Sequence, residues 1–199
     1  MGHAFGEGEY GMDGALTRIA DRLDIRDVYY RYARAVDRCD WSLLRSCFTS
    51  SANLNHLAYQ GGIEGFIDWL IPRHASISIS SHFIGSCLIE FKNNSEALVE
   101  TYGIAFLRLT ADATTLKKAL LSDAVGDSDE VETEELVRYV DWFEKRDGQW
   151  LIANQNLISD ARRVRVAGPD SWSLASFGVG LRNRDDELYR VSESRGMPR

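Results

Sequence analysis

The side chains in this sequence that can move protons are few, and their spacing ranks them. Asp37 lies one residue after Val36 and four after Ala33, at the edge of an apolar helical stripe, so its carboxylate faces the interior more than solvent. A carboxylate placed there needs a partner or takes up a proton. A helix-terminal Asp bonded to the following turn explains the same position, and residue type alone leaves both readings open. His82 follows a polar run at 78–81 and alternates with Ile84, Ser86 and Leu88 on one strand face. It reads either as a satisfied, half-buried histidine or as a proton acceptor. His56, in an earlier strand, is its rival. His74, near a helix end, reads as a surface cation complementing the helix dipole. Tyr30 lies two turns before Asp37 on nearly the same face, where its hydroxyl would reach the same space; Tyr29 and Tyr32 fit the core stripe.

The remaining chemistry is sparse. The four histidines, His3 included, show neither HxH nor HExxH spacing, so no metal site is expected. The chain has no GxSxG, no phosphate-binding loop and no GxGxxG, and Cys39 has no base beside it in sequence.

The elements that must position these groups are legible from periodicity. Ile25, Val28, Tyr29, Tyr32, Ala33 and Val36 form one stripe at helical spacing, in a helix expected from Leu16. Asp40 reads as the N-cap of a short helix over 41–48. A strand over 52–59 ends at Gly61-Gly62, and a third helix over 63–74 buries Phe66, Ile67 and Leu70, with Pro72 at its end or kinking it. Strands follow at 81–91, 96–109, 133–145 and 150–159, the last two joined by a turn containing Asp147-Gly148. A short helix at 114–121 and an acidic loop at 126–132 are expected between the two hairpins. Residues 1–13 read as a flexible arm, 14–160 as the domain, and 161–199 as an extension. In that extension Trp172, Leu174 and Phe177 dock, and 184–199 are loosely ordered. Helices first and a strand meander second predict an α+β fold: a cone-shaped, curved antiparallel sheet, an α+β barrel, wrapped around N-terminal helices with a pocket at its open end.

Bulk properties bound the function. A net charge of -7 excludes a basic footprint for nucleic acid or anionic lipid. No apolar run approaches the roughly 18 residues of a membrane span. The N-terminal residues lack the pattern of a secretory signal, and three cysteines form no even framework, so a cytoplasmic protein with reduced thiols is expected.

Two segments carry a resemblance. Ile25, Asp27 and Tyr32, then Val36-Asp37, then Asp40, Leu44 and Phe48 resemble the opening of SnoaL-like domains. The run Phe143-Glu144-Lys145-Arg146-Asp147-Gly148-Gln149-Trp150-Leu151-Ile152 resembles their late hairpin. With His82, the likeness spans about 15–160 and points to the SnoaL-like, scytalone dehydratase-like branch of the nuclear transport factor 2-like superfamily. In dehydratase and dehydrochlorinase members a His–Asp dyad removes a proton from substrate carbon, and the matching residues here are His82 and Asp37. The dehydrochlorinase has a lysine where Tyr32 stands and an arginine where Gln155 stands. Losing these cations argues against halide departure and leaves Tyr30 or Tyr32 to assist a leaving hydroxide.

The resemblance thus implies a cofactor-independent lyase acting on a hydrophobic cyclic or polycyclic alcohol. His82 is its base, Asp37 orients it, and Tyr30 is acid or ligand. Asn154 and Asn156, alternating on the last strand, would line the same cavity with Tyr32 and Trp69. An isomerase or polyketide cyclase with the same pocket, or a non-catalytic small-molecule binder, are the alternatives. A homodimer or homotrimer is expected.

Overall fold

A computed structural model describes residues 12–56, 58–114, 117, 129–171 and 179–197. Helix α1 (Met12–Asp37) starts four residues before its expected position, and α2 is Trp41–Arg45. Strands β1 (Phe48–His56) and β2 (Tyr59–Gly62) precede α3 (Ile63–Ala75). Strands β3 (Ile77–Phe91), β4 (Glu96–Leu109), β5 (Val131–Arg146) and β6 (Gln149–Val166) follow, and α4 (Glu187–Ser194) closes the chain. The helix expected at 114–121 and the loop at 126–132 fall mostly outside the described residues. So do Trp172, Leu174, Phe177 and residues 1–11.

The six strands form one curved sheet in the order β2-β1-β6-β5-β4-β3, with α1 packed on β3 and β6 and α3 on β1 and β2. Every pairing is antiparallel except β1 with β6, which is parallel. The sheet does not close, so β2 and β3 are both edges and the fold is an open α+β cone rather than a sealed barrel. The stripe of α1 packs Tyr29 against Phe143 and Tyr32 against Tyr139, with ring centroids 5.5 and 5.7 Å apart. Burying each such ring stabilises the fold by about 1.5–3 kcal/mol.

The late hairpin is held from both ends. Asp147 and Gly148 adopt positive φ angles of 49° and 81°, which matches the right-handed twist of the flanking strands. Trp150 and Lys145, flanking that turn, both donate to the buried Asp21 of α1, at 2.8 and 2.7 Å. Asp40 caps α2 by accepting from the Leu43 N–H at 3.2 Å.

Inward and outward faces alternate regularly along β4 and β5 but not along β3 and β6. In β3, Ile84 pairs with Gly103 and Cys87 with Thr101, so β3 carries one extra residue at Gly85-Ser86. In β6 the extra residues are Ala153 and Asp160. A bulge reverses which side chains face the core. Ser86 and Leu88 therefore point away from the face that holds His82, and Leu88 is exposed.

The C-terminal extension also departs from expectation. Residues 184–197 are not loose: Arg184 and Tyr189 bond Asp40 at 3.1 and 3.0 Å, and Arg38 pairs with Asp186. Beneath them His74 is buried rather than a surface cation, and burial pushes its pKa down to about 3. Its Nδ1 then accepts from Arg182 at 2.6 Å.

Candidate active site

Asp37 is the last residue of α1, and its placement follows from how that helix ends. The Asp40 N–H bonds the Ala35 carbonyl at 2.8 Å and the Cys39 N–H bonds that of Val36, with Cys39 left-handed at φ 53°. This C-terminal cap turns the chain sharply and directs the Asp37 side chain onto β3. There, Asp37 Oδ1 accepts from Ser80 Oγ and lies within hydrogen-bond distance of His82 Nδ1, both at 2.7 Å. Oδ2 accepts the backbone N–H of His82 at 3.0 Å. Arg182 braces the same corner from behind, donating to the carbonyls of Asp37 at 3.1 Å and Ile77 at 2.5 Å.

The electrostatics follow from these contacts. Burial pushes the Asp37 carboxyl up, but the bonds and charge of His82 and the Ser80 hydroxyl outweigh it and hold it below the usual carboxylate value. The carboxylate is therefore ionised at neutral pH and accepts only. In the neutral ring of His82, Nδ1 must then carry the proton, which leaves Nε2 with its lone pair. Among the described residues Nε2 has no hydrogen-bond partner, and His82 lines a cavity of the cone.

That cavity encloses about 90 Å³. Its inner wall is aromatic: Tyr32, Tyr139, Phe66 and Trp69, with Phe66 and Trp69 stacked at 5.9 Å. Its outer wall carries Arg73, Glu135 and Arg162. Tyr32 is buried, and its hydroxyl lies 3.4 Å from His56 Nε2. Burial raises the Tyr32 pKa well above its usual value and lowers that of His56 to about 3, so both are neutral. Among the described residues, Nδ1 of His56 is buried without a hydrogen-bond partner.

Of the residues expected at the site, the fold brings together Asp37, His82, Tyr32 and Trp69. Tyr30 is not among them. It is 55 % exposed and lies beside the β3 bulge, with Arg26, Ile84 and Cys87. Tyr30 and Asp37 do share a helix edge. Two turns of helix separate them by about 10 Å, so Asp37 meets Ser80 and His82 while Tyr30 lies farther along β3. Asn154 and Asn156 also lie off the cavity, because the bulge at Ala153 turns Gln155 and Leu157 inward instead. Asn156 bonds Asn154 and the Val140 carbonyl on the other face.

Sequence reasoning missed a further buried acid close to the cavity. Asp141 accepts from Tyr29 at 2.9 Å, Gln155 at 3.3 Å and the Asn156 N–H at 3.2 Å, behind the cavity wall. Burial nevertheless pushes it up to about 7. Its place at an inward strand position was the available signal. The inward roles of Arg73 and Arg162 were also missed; for Arg162 the bulge at Asp160 hides the signal.

Comparisons with known proteins agree with this architecture. No protein with a curated description matches the chain. Among solved structures, a candidate scytalone dehydratase from Novosphingobium aromaticivorans superposes with a TM-score of 0.61 at 18% identity, covering 80% of this chain and 99% of that one. The hexachlorocyclohexane dehydrochlorinase LinA-type3 from Novosphingobium barchaimii gives 0.62 at 16% identity, over 81% and 99%. The Kfla4162 protein from Kribbella flavida gives 0.61 at 15% identity, over 73% and 95%. Identities this low establish the fold, and fold alone does not assign a reaction. The sequence itself matches the SnoaL-like domain family over residues 17–156. The chain thus belongs to the SnoaL-like domain family.

Proposed function

We propose that the cavity is the active site of a lyase that removes water from a small hydroxylated ring compound. The observation that carries this reading is the grip of Asp37 on His82: a 2.7 Å contact to Nδ1 and a 3.0 Å bond from the same residue's backbone, at the wall of an apolar cavity. An ionised acid on Nδ1 fixes the tautomer and stabilises the imidazolium that forms when Nε2 takes a proton. Help of this kind accelerates a reaction by about 10²–10⁴-fold.

The elimination proceeds on one face of the ring. Nε2 takes the proton from the carbon next to the carbinol. The C–H electrons form the double bond as the C–O bond breaks. The imidazolium then returns its proton to the departing hydroxide, giving alkene and water. Tyr32, held neutral by burial, donates a hydrogen bond to the leaving oxygen rather than a full proton. The enclosed volume is well below the roughly 300–1,000 Å³ of pockets for drug-sized ligands. It suits one small ring, not a fused system.

The test is a panel of hydroxylated cyclohexane and cyclohexenone derivatives in deuterated water, followed by mass spectrometry and NMR. Loss of water in the wild type and at least 100-fold slower loss in His82→Gln supports the reading. Deuterium uptake or rearrangement without loss of water turns the assignment to an isomerase or cyclase. Equal turnover by His82→Gln removes His82 as the base.

A further inference from the structure

Arg73 sits on α3, one turn after Trp69, and its guanidinium stacks over the Trp69 ring at 4.1 Å from the centroid. It is half-buried and lines the cavity. Across the same outer wall, Arg162 of β6 bonds Glu135 of β5 at 2.7 Å, and the two are register partners. Two arginines therefore face one carboxylate. Glu135 is taken by Arg162, and among the described residues Arg73 has no hydrogen-bond acceptor. A buried cation without a counter-charge is costly. Burial and the nearby charge of Arg162 both lower its pKa, as expected for a guanidinium lacking an anion.

The remaining charges do not supply one. Asp37 is occupied by Ser80 and His82, while His56 and His74 are neutral. The wall is thus locally positive in a protein whose net charge is -7. A planar guanidinium, held flat by an aromatic ring with its donors pointing sideways, matches a carboxylate in a bidentate fork.

We infer that the substrate is a ring carboxylate. Its ring lies against the aromatic inner wall beside His82, and its carboxylate is held by Arg73 with Arg162 adding charge. This rests on the cavity being the substrate site and names the class of substrate it takes. The carboxylate also gives binding energy remote from the reacting carbon, which fixes the ring relative to Nε2.

The experiment measures binding, so it does not depend on turnover. Cyclohexanecarboxylate and cyclohexanecarboxamide are titrated by calorimetry into wild type, Arg73→Gln, Arg73→Lys and His82→Gln, at low and high salt. The carboxylate is expected to bind at least tenfold more tightly than the amide, with a preference that weakens in salt. Arg73→Gln abolishes the preference, Arg73→Lys keeps part of it, and His82→Gln leaves it intact. Equal affinity for acid and amide in the wild type, or no binding of either at 10 mM, overturns the inference whatever the variants do. A preference retained in Arg73→Gln overturns the role of Arg73. Loss of turnover in His82→Gln alongside equal affinity would refute the carboxylate while sparing the lyase reading.

Discussion

Asp141→Asn should stabilise the protein at pH 8 and destabilise it at pH 4. The carboxyl ordinarily titrates at 3.8, and in the folded protein burial carries it to about 7. Between those values the unfolded chain holds an anion and the folded chain a neutral acid, so the folded state binds more protons. Stability contributed by this group is full below pH 3.8 and falls as pH rises through 7, by about 1.4 kcal/mol per unit. The loss totals about 4 kcal/mol above pH 7. Asparagine carries no charge at any pH and so escapes that loss. Its amide keeps an oxygen for Tyr29 and Gln155, but its Nδ2 then meets the N–H of Asn156, which now bonds Oδ1 at 3.2 Å. Leaving that donor unpaired costs about 1–3 kcal/mol. The balance is a gain of about 1–3 kcal/mol at pH 8 and a loss of similar size at pH 4. Urea unfolding at pH 4, 6 and 8, read by tryptophan fluorescence, measures it, and the difference between the two proteins cancels their other carboxylates. The same difference in stability at all three pH values would refute the reasoning.

Three further outcomes follow from the same contacts. Arg182→Ala removes donors from the carbonyls of Asp37, His74 and Ile77 and should cost about 3 kcal/mol in urea unfolding; a loss below 1 kcal/mol would mean the C-terminal brace is idle. Asp37→Asn should destabilise by about 1–3 kcal/mol at pH 6, because an amide must set its NH₂ against one of the three donors that the carboxylate accepts. The Asp37 carboxyl is held below 3.8, so its stabilisation is present above that pH and disappears as pH falls through its lower folded value. The gap between the two proteins should therefore close in acid. The outer sheet face exposes Phe83, Ile104 and Leu136 in one cross-strand row, at 65, 47 and 50 % exposure. Sedimentation equilibrium should show a dimer or trimer, and Ile104→Lys should shift it toward monomer; a wild-type monomer at 50 µM would contradict this.

How much of this was legible in the sequence depended on whether a signal was periodic or local. The α1 stripe, the Asp40 cap and the Asp147-Gly148 turn each follow from nearby residues, and the structure has all three. The pairing of Asp37 with His82 spans 45 residues, so spacing alone left both residues ambiguous and the family resemblance joined them. Single extra residues in strands were the main source of error. Strict alternation from Trp150 and Ile152 puts Asn154 inside; one unpaired Ala153 puts Gln155 there instead. The same effect in β3 turned Ser86 and Leu88 outward. Nothing in composition announces a bulge at Ala153. His74 was misread because its cover, Arg182, lies 108 residues downstream.

The central claim is that His82 carries its proton on Nδ1, toward Asp37, and offers Nε2 to the cavity. Nitrogen-15 NMR of the histidine rings at pH 7.5 reads this directly, with His82 assigned by the signals lost in His82→Gln. The account predicts a protonated Nδ1 and a bare Nε2 in the wild type, changed in Asp37→Asn. A proton on Nε2, or a ring spectrum indifferent to Asp37→Asn, would contradict it.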